Sequence, residues 1–99
     1  MHTQSAEIDY MTIETPSDFG RALKAGPFAW PGGYPLYFVC SDGEALSFDA
    51  ARKNAALITS ALRDPWDKSG WRVIGADVNW EDPSLTCAHT GKPIEAAYL

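Results

Sequence analysis

The segment from Cys87 to Pro93 sets a thiol, Cys87, and an imidazole, His89, two residues apart in what reads as a tight turn closed by Gly91. That is the outline of a zinc knuckle. A closed tetrahedral site takes four soft ligands, usually as two short-spaced pairs. The other soft ligands are Cys40 and His2, and neither has a companion at motif spacing. Zinc held by Cys40, Cys87, His89 and a carboxylate is therefore the alternative, and the expectation is no metal and no cofactor. A Cys/His nucleophile pair meets a similar difficulty. Residues two apart on a strand share a face without reaching hydrogen-bond distance, so His89 is expected to stabilise its turn and Cys87 to be packed.

The remaining chemistry is thinner. Glu81 and Asp82 are adjacent acids in a turn, which normally point apart into water, and a glycosidase needs its two acids several ångströms apart across a cleft. Gly32 and Gly33 precede a strand rather than the helix N-terminus that a phosphate loop requires. No catalytic residue is assigned. The net charge of -5 argues against direct nucleic-acid binding, which needs a basic patch. The charge is uneven: residues 1–18 hold four carboxylates and no base, while residues 64–99 sum to -3. Two cysteines, no leader and no membrane-length apolar run point to a soluble cytoplasmic protein with no membrane role.

Aromatics make up 12% of the 99 residues, enough with the 45% hydrophobic content for one small core. The expected domain is 15–99, preceded by an arm over 1–14 that forms at most a weak edge strand. Thr15 and Pro16 begin a short N-terminal helix that Gly26 ends. The Pro/Gly-rich stretch 27–35 reads as a loop whose Phe28 and Trp30 fold back on the core. Leu36, Phe38 and Cys40 share one face of a strand, and Asp42-Gly43 turns it into a short return strand, 45–47. Ser47 caps the principal helix, 48–63. In the strand 71–80, Ile74, Ala76, Val78 and Trp80 alternate onto one face, with Gly75 marking a bulge or close approach. Leu85 to Cys87 and Ile94 to Tyr98 complete the sheet. The fold class is α+β: one main helix on a small, mostly antiparallel sheet, with a short N-terminal helix.

Residues 25–35, Ser41-Asp42-Gly43, 78–83 and 87–94 with Ala97-Tyr98 resemble a group of small uncharacterised phage and bacterial proteins, with a Trp-Pro-Gly-Gly-Tyr-Pro loop and a C-terminal Cys-x-His-Thr-Gly turn. Some members are similar to zinc ribbons, carrying a Cys pair after the first hairpin and a Cys-x-His-Cys near the end. This chain departs from them. Ser47 and Ala50 stand where the first pair would be, and Thr90 replaces the last thiol.

The expectation for function is a non-enzymatic, acidic protein-binding factor, phage or mobile-element encoded, that inhibits a host defence complex by occlusion, in the anti-CRISPR or anti-restriction manner. Its partner would be a host protein or nucleoprotein complex with a basic surface. Trp66 and Trp30 are the candidate contact aromatics, and Asp64, Asp67, Asp77, Glu81 and Asp82 the candidate charge, provided the fold gathers them. The alternatives are a degenerate zinc-ribbon-like adaptor and a small metal-dependent enzyme.

Overall fold

The computed structural model describes residues 12–29 and 32–98. The arm before Thr12, with His2, and the loop residue Trp30 lie outside this range, so the readings that fall on them are not addressed. Among the described residues, three helices and four short strands make an antiparallel α+β fold: α1 (Pro16–Ala25), β1 (Phe28–Ala29), β2 (Tyr34–Cys40), β3 (Ala45–Leu46), α2 (Phe48–Lys53), α3 (Ala55–Arg63) and β4 (Val73–Val78).

β2 is the central strand. β4 runs along one edge of it, and β1 and β3 share the other. Leu36, Phe38 and Cys40 are buried on one face, as their alternation predicts. Phe38 stacks on Phe48 of α2 at 4.7 Å and meets Phe19 of α1 edge-on at 5.5 Å, so one residue ties the sheet to both helices. Thr15 and Asp18 form a capping box that satisfies the exposed N–H groups of α1. The β2–β3 turn carries Gly43 at φ 88°, and the Cys40 amide donates to the Glu44 carbonyl. That is a three-residue hairpin loop with glycine in the left-handed position, rather than the two-residue turn the Asp-Gly pair suggests.

Three departures have local causes. The expected helix 48–63 is divided at Asn54, whose side-chain amide donates to the Ala50 carbonyl at 2.9 Å and whose backbone leaves helical geometry. In β4, Val39 faces Gly75 but Cys40 faces Val73, so one residue is skipped and the alternation changes phase. Val73 is consequently buried and Ile74 exposed, the reverse of the even alternation expected. At the C-terminus a single bridge, Thr86 to Pro93, replaces the expected pair of strands. The chain then turns so that the Ala97 and Tyr98 amides donate to the carbonyls of Asn79 and Trp80.

The boundary at residue 14 is also softer than the sequence suggests. Thr12 bridges to Gly75 on the outer edge of β4, and Ile13 is buried in the core.

Candidate functional site

The Cys87 turn closes on backbone bonds: the Cys87 amide donates to Lys92 and the Gly91 amide to Cys87, both at 2.8 Å. A third bond, from the Ala88 amide to the Ala45 carbonyl, docks the turn on β3. The Cys87 sulfur points inward and accepts the Ser47 amide at 3.3 Å, beside the start of α2. Burial opposes its ionisation. The Ser47 N–H and the N–H and hydroxyl of Thr90 nevertheless hold the thiol lowered to about 7. Cys87 as a residue is 1% exposed. Burial, with Asp42, Cys87 and Glu44 adding to it, pushes the Cys40 thiol up to about 11. The two thiols have opposite chemistry on one wall of the core.

The His89 ring packs on Trp71 at 5.1 Å and borders both a shallow hollow that Cys40, Asp42 and Glu44 line and the hollow lined by Ser47, Ala50 and Thr90. The Cys87 sulfur takes its hydrogen bond from the Ser47 amide. Among the described residues, no three His, Cys, Asp or Glu side chains converge as metal ligands. The positions matching the ribbon pattern do come together: Ser47, Ala50 and Thr90 line one hollow, and the Cys87 sulfur abuts Ser47. One thiol among four positions does not fit a tetrahedral zinc ion.

The residues expected at a partner surface fall at opposite ends of β4. From residue 72 to residue 80 the strand advances by roughly 25 Å at its usual rise. At the first end, Trp66 is 84% exposed on the α3–β4 loop. The flanking acids shape that loop. Asp64 accepts the Trp66 amide at 2.9 Å, and Asp67 accepts the amide and hydroxyl of Ser69. Arg72 donates to the Asp64 carbonyl oxygen. Arg63, Lys68 and Arg72 lie beside these two aspartates in sequence, and Asp42 and Glu44 share a hollow with Ser69, Gly70 and Trp71, so the charge at this end is mixed.

The second end holds Asp77, Glu81 and Asp82, with no Lys or Arg between Arg72 and Lys92. Here lies a group of residues that the sequence reading did not assign to a site. Because Leu36 pairs with Val78, two further residues of antiparallel register bring Tyr34 opposite Trp80. Their ring centroids are 4.8 Å apart. Tyr98 stacks on Trp80 at 5.7 Å and 21°, and its hydroxyl meets that of Tyr34 at 3.5 Å. Trp80 is 45% and Tyr98 60% exposed, so the three rings form a platform packed on itself and open to solvent.

Buried Asn79 fixes this corner. Its amide donates to the carbonyls of Asp82 and Ile94, and its side-chain oxygen accepts the Asp82 amide. Asp82 in turn accepts the amide and hydroxyl of Ser84, which lower its pKa. Asp77 opens on the reverse face of the sheet opposite Tyr37, whose pKa is raised first by burial and then by Asp77 and Asp82. Trp80 was legible as an aromatic on a strand. Its partners were not, because Tyr34 and Tyr98 are 64 residues apart and meet only through the register of β2 and the C-terminal turn.

No family model, curated protein or solved structure matches this chain. Among the described residues no helix is long and apolar enough to cross a membrane.

Proposed function

We propose that this chain is a non-enzymatic protein-binding factor. The observation that supports the reading most is large aromatic surface held open on a rigid frame: Trp66, Trp80 and Tyr98 are all exposed. Tryptophan and tyrosine are the side chains that most often anchor protein interfaces, because they bring large contact area with few rotors to freeze. Left open on this fold, they are available for a second protein to cover. The acidic balance favours a partner with a basic surface.

In its most specific form, the factor occludes such a surface on a host defence complex, for which small size, negative charge and the resemblance to phage proteins are the support. The test is retention of proteins from a bacterial lysate on the immobilised chain. Retained proteins are identified, and the activity of each is assayed with the chain added at equimolar amount. The reading predicts a partner retained at low salt whose activity falls on addition of the chain. Retention of nothing at low salt, where charge attraction is strongest, contradicts it.

A further inference from the structure

We infer that the Tyr34–Trp80–Tyr98 platform, rimmed by Glu81 and Asp82, is the docking surface, and that it takes an arginine-bearing segment of a partner protein. The inference rests on the protein-binding reading above and names its site and chemistry.

The two exposed aromatic ends of β4 differ in what they offer. Trp66 is a single exposed ring in a loop of mixed charge: Asp64 and Asp67 bond to groups of their own loop, Arg63, Lys68 and Arg72 lie in the same stretch of sequence, and the Asp42 carboxylate approaches at Gly70. At the other end three rings abut one another, so no guest fits between them, but the outer faces of Trp80 and Tyr98 remain open. Glu81 follows Trp80 directly and makes no side-chain hydrogen bond among the described residues; after the Tyr34 hydroxyl and burial, its charge adds to the upward shift of the Tyr98 pKa. Asp82 is held in a fixed orientation by Ser84.

An aromatic face beside carboxylates fits a guanidinium better than an ammonium ion. Guanidinium is planar, sheds water more readily, stacks on indole and phenol rings, and forms paired hydrogen bonds to a carboxylate in the same plane. The platform is also prepared in advance. Asn79 and the two amide bonds from Ala97 and Tyr98 fix the rings before any partner arrives, which reduces the ordering cost of binding.

The experiment titrates the whole chain with a synthetic peptide of alternating arginine and glycine, against lysine–glycine and glutamate–glycine peptides of equal length. Arginine is expected to bind more tightly than lysine, and glutamate not at all. Tyr98→Ala and Glu81→Gln should each weaken arginine binding by about tenfold, while Trp66→Ala changes it by less than about twofold. Trp80→Phe, which keeps an aromatic ring between Tyr34 and Tyr98, should weaken it by a smaller factor; it serves if Tyr98→Ala does not fold.

Binding unaffected by Tyr98→Ala, Trp80→Phe and Glu81→Gln overturns the inference. So does equal affinity for lysine and arginine, or absence of binding. Loss of binding with Trp66→Ala alone would place the contact at the other end and leave the protein-binding reading standing. That reading fails separately, if the lysate experiment retains no partner.

Discussion

Asn79 is the residue on which the proposed surface depends most. It is 4% exposed, and its side chain joins the exit of β4 to the C-terminal turn. Replacing it with alanine leaves the Ile94 carbonyl and the Asp82 amide without partners. Asn79→Ala should therefore cost roughly 2–4 kcal/mol in urea unfolding, and it should free the Trp80 and Tyr98 rings, read as a change in near-ultraviolet circular dichroism. The two cysteines make a second residue-scale prediction. Cys87 is lowered from 9.0 to about 7, so the folded state releases a proton that the unfolded state keeps, and stability rises from pH 7 to pH 9. Cys40 is raised from 9.0 to about 11, so stability falls between pH 9 and pH 11. Melting curves of Cys87→Ser should lose the rise relative to the parent, and those of Cys40→Ala should lose the fall.

At the scale of elements, the sequence was most readable where one local rule acted alone. The start of α1, the buried face of β2 and the Ser47 cap followed from capping residues and alternation, and all three are present. It was least readable where a single residue changed the phase. Even alternation in 71–80 missed the skipped residue between Val73 and Gly75; Gly75 was the signal for a bulge at this place, but the phase change it causes is set by strand pairing. The division of the long helix at Asn54 depends likewise on a side-chain bond to Ala50 that competes with the backbone.

The Cys87 turn is the element whose geometry was legible and whose chemistry is reduced. Ser47, Ala50, His89 and Thr90 line one hollow, and the Cys87 sulfur accepts the Ser47 amide beside it. Ser47→Cys, Ala50→Cys and Thr90→Cys made together should bind about one zinc ion per chain and raise the melting temperature. Elemental analysis with and without chelator checks this, and a triple variant that takes up no zinc contradicts the geometry.

On the whole molecule, composition gave the sign of the charge but not its distribution. The five acids proposed from the sequence are divided by the length of β4. Asp64 and Asp67 are held in a loop of mixed charge, whereas Glu81 and Asp82 follow Trp80 directly and Asp77 lies on the reverse face of the sheet. The molecule is therefore polar along its sheet, and a basic partner should approach from the Trp80 end. Raising the salt should weaken the arginine peptide's association, and Glu81→Gln should make that dependence shallower, as isothermal titration at several salt concentrations will show.

Chemical-shift mapping of the isotopically labelled chain, titrated with the arginine–glycine peptide, addresses the central claim most directly. The account predicts that the indole N–H of Trp80 and the amides of Tyr34, Glu81, Asp82 and Tyr98 shift together while Trp66 and its loop stay in place. Shifts centred on Trp66, or spread evenly over the acidic residues with Trp80 unmoved, would contradict it.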